Sequence, residues 1–212
     1  IVSARSAGEQ FDEQGISLYL VPADAEGLER FSYRMMDGQV VANVALDNVK
    51  VPASNRVGEL NAALPIIEAL ALEAKMALAS EALGIMGLLN SKTLEYTKTR
   101  EQFDVAIGSF QALQHRMVDT FMAYEQAKSM LYRALCAAES DSDDLATTVH
   151  ALSVMTDNAG KLILAEAIQL HGGMGMTDEL DIGHYAKRLM MINTIFGSGD
   201  YHQAKFNALR YK

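Results

Sequence analysis

The sequence predicts a mainly α-helical protein, an antiparallel up-and-down helical bundle preceded by a partial β-sheet. The prolines, Pro22, Pro52 and Pro65, all lie in the first third of the 212 residues, and an interior proline costs a helix about 3 kcal/mol. Beyond about residue 60 the chain is rich in Ala, Leu, Met, Glu and Lys, which favour helices. We therefore expect an incomplete β-domain over residues 1–58 and a helical bundle domain over 59–212.

Short β-branched and aromatic runs predict strands at residues 1–5, 16–21 and 40–46. In the second run, Ile16, Leu18 and Leu20 alternate with Ser17, Tyr19 and Val21, which is typical of a half-buried strand. The polar residues 8–15 between the first two runs predict a hairpin connection. Because a sheet of so few strands has unpaired edges, we expect this region to be part of a larger sheet.

Helical periodicity predicts five helices, at about residues 60–98, 109–139, 143–171, 179–194 and 199–210. The third should bury one stripe, formed by Leu145, Val149, Leu152, Met155, Ala159 and Leu162. We expect Asp141 and Ser142 to cap its start, Asp143 and Asp144 to complement its dipole, and Gly172–Gly173 to end it. Long helices joined by short loops pack antiparallel, which predicts the bundle.

Charge and cysteine content exclude several classes of protein. The net charge of −9 argues against nucleic acid and anionic membranes as partners, because their phosphates need clustered Lys and Arg. No apolar run approaches the ~20 residues of a membrane span. The single cysteine, Cys136, cannot form an internal disulfide; we expect it to be buried and inert, in a reducing cytoplasm. The five histidines show no metal-ligand spacing, so no metal is expected.

Two local signals could serve a ligand. Residues 169–177 end a helix with three glycines in four positions, which would let an anion approach the main chain, although a cap followed by a tight turn has the same pattern. Arg100 closes the first long helix; it could pair with a phosphate in bidentate fashion, or complement the helix dipole. At each of the two signals, the residues alone do not decide between a ligand-binding role and a structural one.

Three motifs, taken in their order along the chain, resemble those of a known protein family. Residues 96–103 match Y-x-x-x-R-x-Q-F, residues 110–115 match F-Q-x-x-Q-H, and residues 169–175 match Q-x-x-G-G-x-G. Residues 15–21 and 44–53 resemble the last strand region of a middle β-domain and its exit into a long helix. In these features the whole chain resembles the acyl-CoA dehydrogenase family, from the end of its middle β-domain through its C-terminal helical domain.

The resemblance implies FAD as cofactor, bound between subunits. It implies that Arg100 contacts the diphosphate, that Gln102 and Phe103 contact the same arm, and that Gln111 lies near the adenine. It also implies that Gln169, Gly172 and Gly173 contact the diphosphate and ribose of another subunit's FAD. An arginine, side-chain amides and a glycine-opened helix end suit an uncompensated diphosphate.

The resemblance also implies a carboxylate base that removes the α-proton of an acyl-CoA thioester. The two positions that hold it in the family are occupied here by Gly197 and Ala74. Glu73 and Asp200 lie nearby and are the weak candidates, since a one-residue slip turns a helical side chain by about 100°. In lacking the base, the chain resembles the small subunits of heteromeric, pimeloyl-CoA-type dehydrogenases, which pair with a catalytic partner.

The expected function is thus FAD-dependent α,β-dehydrogenation of an acyl-CoA, with this chain as a C-terminal fragment of doubtful activity by itself. The expected partners are the acyl-CoA substrate, an electron-transfer flavoprotein or similar acceptor, and further subunits of a homo- or hetero-oligomer, a dimer or tetramer. The alternatives are a non-catalytic small subunit that completes a FAD site and a purely structural helical assembly module.

Overall fold

The computed structural model describes residues 1–211. The chain divides into two compact units, Ile1–Ala71 and Leu72–Lys212. The division falls inside the first helix, whereas the change from strands to helices lies nearer residue 60. The domain boundary at 58/59 therefore stays a prediction.

The first unit contains two small antiparallel sheets. β1 (Val2–Arg5), β2 (Ile16–Tyr19) and β5 (Arg56–Val57) pair in the order β1-β2-β5, and β3 (Leu28–Arg34) pairs with β4 (Val40–Leu46). The register of β1 and β2 runs from Val2 opposite Tyr19 to Arg5 opposite Ile16, so residues 6–15 form the predicted hairpin connection. β3 was missed because its sequence, LERFSYR, has only two β-favouring aromatics among charged residues.

The predicted one-sided burial of β2 is wrong. Ser17 and Leu18 are both buried, while Leu20 is half exposed beyond the strand end. Ser17 is accommodated because its hydroxyl bonds the Ser6 hydroxyl at 2.7 Å and accepts the Asn61 backbone N–H at 2.8 Å. A buried hydroxyl with both partners satisfied costs little.

The five predicted helices are all present. They are α1 (Leu64–Thr99), α2 (Gln111–Glu139), α3 (Leu145–His171), α4 (Ile182–Ile192) and α5 (Gly199–Arg210). Pro65 lies in the first turn of α1, where a missing N–H is tolerated. Between α1 and α2 a short hairpin, β6 (Glu101–Gln102) and β7 (Val105–Ala106), was not predicted.

The second unit is built around α3, which packs against α2, α4 and α5. Its core combines α1 residues such as Met86 and Leu89 with Leu131 of α2, Leu152 of α3 and Leu189 of α4. The predicted α3 stripe holds at Val149, Leu152 and Ala159, but Leu162 is 37% exposed and Ile163 is buried in its place. This confirms the mainly α-helical bundle with a partial sheet before it.

Two local predictions in the bundle are wrong. Asp141 and Ser142 do not cap α3, because the N-cap position is Asp144, where no side chain forms a capping hydrogen bond. The Asp144 carboxylate accepts hydrogen bonds from the Ser142 hydroxyl (2.8 Å) and the Arg133 guanidinium (2.9 Å). Those two contacts, Ser142 first, lower the pKa of Asp144. Cys136 is exposed, because the face of α2 that packs inward runs through Ala134 and Ala137.

Candidate functional site

A pocket of about 400 Å³ lies at one end of the second unit, where α1 and α3 both terminate. Its wall takes Arg100 from just after α1, Gln102 from β6, Gln169 from the last turn of α3, and Gly172 and Gly173 from the 3₁₀ turn that follows. The remaining lining residues are Tyr96, Ile107, Leu170, His171 and Met174. The fold therefore brings together two motifs separated by about seventy residues in the sequence.

Two hydrogen bonds hold the backbone of Arg100, whereas its side chain has no partner among the described residues. Its N–H donates to the Tyr96 carbonyl, and its carbonyl accepts from the Ile107 N–H, both at 2.8 Å. Within residues 1–211 the guanidinium forms no hydrogen bond or ion pair, and the residue is exposed. An arginine held in place without a carboxylate partner can bind a phosphate in bidentate geometry.

Two of the predicted site residues lie outside the pocket wall. Phe103 and Asp104 have φ of +57° and +62°, and form the two-residue turn of the β6–β7 hairpin. Phe103 is 86% exposed, with its ring edge-on to Phe110 at 6.2 Å, and Gln111 is an exposed first residue of α2. Their contact with a cofactor stays a prediction.

The three glycines of the turn have different physical roles. Gly172 has a φ of +59° and ends α3, as predicted. A Cβ at Gly175 would lie 2.7 Å from the Ile168 carbonyl oxygen, so packing requires that glycine. Gly173 has neither a positive φ nor any atom within 4 Å of such a Cβ, so the fold itself does not require a glycine there. A bare main chain facing open space at Gly173 suits a ligand that approaches closely.

Sequence reasoning missed His171 and Tyr96 as parts of the pocket. His171 is buried, its Nδ1 lies 2.7 Å from the Ala167 carbonyl oxygen, and its ring stacks on Tyr96 at 4.4 Å. The sequence signal that could have found them is the position of His171 directly before the glycines. A pocket wall formed by arginine, amides, an imidazole and open main chain fits a diphosphate.

The fold opposes a side chain at Gly197, one of the two positions to which the resemblance assigns the base. Gly197 has a φ of +111°, and a Cβ there would lie 2.4 Å from the Tyr201 ring. Ala74 is half-buried on α1, and the weak candidates Glu73 and Asp200 are exposed. The buried carboxylate of this region, Asp157, accepts a 2.7 Å hydrogen bond from the Lys161 ammonium.

A buried lysine holds the loop that contains Gly197. The Lys75 ammonium donates to the Ile195 carbonyl at 3.0 Å and to the Gly197 carbonyl at 3.2 Å. Burial lowers the pKa of Lys75, and the charge of Asp157 partly opposes that effect. This contact connects α1 directly to the segment before α5.

Among the described residues, no three His, Cys, Asp or Glu side chains are grouped as a metal ion would require. None of the helices in residues 1–211 combines the length and the apolar character needed to cross a bilayer.

The model of the acyl-CoA dehydrogenase C-terminal domain matches residues 65–206. The chain belongs to the acyl-CoA dehydrogenase family. A probable acyl-CoA dehydrogenase, FadE25 of Mycobacterium tuberculosis, is 26% identical over 82% of this chain and 45% of its own length. The chain thus spans about half the length of the curated relatives it matches.

Solved acyl-CoA dehydrogenase relatives share this fold. PigA, whose structure holds FAD and proline, is 25% identical, with a TM-score of 0.88 over 93% of this chain and 52% of PigA. A variant of the Tcur3481–Tcur3483 steroid ACAD is 30% identical, with a TM-score of 0.80 over 92% of this chain and 52% of that one.

Proposed function

We propose that this acyl-CoA dehydrogenase chain binds the diphosphate arm of FAD in the pocket between the ends of α1 and α3. The observation that carries the proposal is the convergence of Arg100 and Gln102 with Gln169 and the Gly172–Gly173 main chain on one pocket whose described lining contains no acidic residue. The FAD bound in PigA supports it.

The whole protein would then catalyse α,β-dehydrogenation of an acyl-CoA, in which bound FAD accepts the hydride from the β-carbon. In this chain Arg100 would neutralise phosphate charge, Gln102 and Gln169 would donate amide hydrogens, and the glycines would admit the ligand. We expect an electron-transfer flavoprotein or similar acceptor as redox partner. The cytoplasmic location stays a prediction that rests on the single cysteine.

The pocket proposal predicts a clear effect of Arg100→Gln on flavin content. Loss of one charged hydrogen-bond donor costs about 1.5–3 kcal/mol, so FAD affinity of the whole protein should fall roughly tenfold or more. The measurement is visible flavin absorbance after dialysis against known FAD concentrations. Arg210→Gln, which removes an exposed arginine from the last turn of α5, is the matched control and should leave the affinity unchanged.

Colourless whole protein that takes up no FAD would contradict the flavin proposal. It would favour instead the structural assembly module, which needs no cofactor.

A second candidate function is that of a non-catalytic subunit that completes a FAD site beside a catalytic partner. The specific observation in its favour is the backbone at Gly197, where both the positive φ and the Tyr201 ring oppose any side chain. The two-component naming of the Tcur3481–Tcur3483 relative supports it.

Acyl-CoA-dependent reduction of ferricenium separates the two candidates. The partner-subunit function predicts no activity for the protein alone and activity after a catalytic partner is added. Activity of the protein alone that disappears on Asp200→Asn or Glu73→Gln would contradict it and would assign the base to that carboxylate.

A further inference from the structure

One face of α2 exposes large apolar side chains. Five of them are between 44% and 59% exposed, a larger number than any other helix within residues 1–211 presents. We call them the α2 stripe: Val118, Phe121, Met122, Tyr132 and Leu135. The opposite face of the helix, through Ala127, Leu131 and Ala134, is buried in the bundle core. Contiguous apolar surface of this kind marks a place where a protein associates with another.

A charged pair divides the α2 stripe into two apolar halves. Each residue of a helix is turned by about 100° from the one before it, which puts the whole stripe within an arc of about 140°. Glu125 and Lys128 lie within the same arc, both half-buried, with their charged groups 3.5 Å apart. Along this face of the helix the order of side chains is therefore apolar, acidic, basic and apolar.

That order is complementary to itself when the direction of the helix is reversed. A second α2 that runs antiparallel, about a two-fold axis level with the midpoint of residues 126 and 127, places Lys128 opposite Glu125. The same placement sets Tyr132 opposite Phe121, and residues 135–136 opposite Val118. A parallel copy in register would instead place like charges opposite each other, which disfavours association.

We propose that the α2 stripe is the interface through which two copies of this chain associate, with their α2 helices antiparallel about a two-fold axis. The occupant is a second copy because this one face supplies both the acidic position and the basic position that opposes it. The apolar side chains drive association, and the Glu125 and Lys128 pairs fix its direction. The stripe contributes no residue to the described lining of the flavin pocket, so the interface does not depend on the proposed cofactor.

Sedimentation equilibrium of this chain tests the interface, and the parent should sediment at twice the mass of one copy. Met122→Lys buries an unpaired charge once in each copy, so the dissociation constant of the dimer should rise roughly a hundredfold or more. Met190→Lys is the matched control, because Met190 is a methionine of similar exposure on α4. It should leave the dissociation constant unchanged, and circular dichroism should show both variants folded.

Charge reversal tests the direction of the two helices. Glu125→Lys alone sets two lysines opposite each other at both symmetric contacts, and Lys128→Glu alone sets two glutamates there, so each should weaken association roughly tenfold. An equimolar mixture of the two variants restores opposite charges at both contacts and should associate about as tightly as the parent. Both variants lack the ion pair within one helix, so its loss cannot account for recovery on mixing.

Disulfide formation tests the register, since Cys136 is the only cysteine and is exposed at one end of the stripe. Oxidation of Val118→Cys should link two copies through Cys136, whereas Asp119→Cys, turned by about 100°, should not. A parent chain that stays monomeric at high micromolar concentration would overturn the proposal and leave the stripe to a different subunit. Mixed charge variants that associate no better than either one alone would overturn the antiparallel arrangement. Neither result would affect the flavin proposal.

Discussion

Gly197, at a position to which the resemblance assigns the base, is constrained by the backbone and by its neighbours in this fold. Its φ of +111° and the Tyr201 ring, 2.4 Å from the place of a Cβ, are two separate barriers to a side chain. The resemblance in sequence revealed only that the carboxylate is missing. The backbone adds that a side chain at this position would be strained.

Gly197→Ala should therefore lower the free energy of unfolding by about 1–3 kcal/mol, the cost of a strained backbone position. The measurement is equilibrium unfolding in urea. Gly183→Ala is the matched control, because Gly183 has an ordinary φ and no atom within 4 Å of a Cβ, and its stability should be unchanged or slightly raised. A Gly197→Ala protein as stable as the parent would contradict the strain argument.

His202 makes the stability of the bundle depend on pH. It is 3% exposed, its Nδ1 lies 2.9 Å from Nδ1 of His150, and burial, followed by the charges of Lys75 and His150, lowers its pKa to about 4. Burial and the charge of Lys205 also lower the pKa of His150. The folded protein thus binds fewer protons than the unfolded chain in mildly acidic solution.

The direction in which stability changes with pH follows from that difference in bound protons. Stability from neutral His202 is complete above the ordinary histidine pKa of about 6.5 and is lost as the pH falls toward about 4. Between pH 7 and pH 5 the parent should lose up to about 2 kcal/mol more than His202→Gln. His184→Gln, on exposed α4 surface, should behave as the parent does. Identical pH profiles for parent and His202→Gln would refute this assignment.

At the scale of elements, the contact between α1 and the segment before α5 depends on one buried cation. The Lys75 ammonium donates to two carbonyls, those of Ile195 and Gly197, and neither lies on its own helix. This arrangement holds the start of α5 against the bundle. Hydrogen exchange should detect its loss.

Lys75→Met keeps the length of the side chain and removes the donor, so two carbonyls lose a charged partner at a cost of about 1–3 kcal/mol. We expect faster amide exchange over residues 195–203, with the centre of α3 unaffected. Lys98→Met, in the exposed last turn of the same helix, should leave the exchange pattern of α5 as it is. Unchanged exchange in the Lys75 variant would show that other contacts hold the segment.

The helices were predictable from the sequence because periodicity over many residues outweighs any single position. Each of the five lies within a few residues of its predicted bounds. Predictions that depended on one side chain fared worse: Asp141 and Ser142 do not cap α3, whose N-cap position is Asp144, and Cys136 is exposed. These side-chain positions depend on how neighbouring elements pack, which a single segment of sequence does not determine.

At the scale of the whole molecule, the motifs named five residues that the fold brings to one pocket, Arg100, Gln102, Gln169, Gly172 and Gly173. Tyr96 and His171 were not predicted as site residues, because only the packing of α1 against the end of α3 places them beside the glycines. The pocket is thus a product of the bundle, and no single motif forms it.

Amide hydrogen exchange of this chain with and without ADP-ribose tests the central claim most directly. A diphosphate in the pocket should slow exchange over residues 100–102 and 169–174. It should leave unchanged the unrelated pocket between α2, α3 and α5 that Arg133 and Arg210 line. Protection confined to that second pocket, or no protection anywhere at concentrations that saturate binding, would contradict the account.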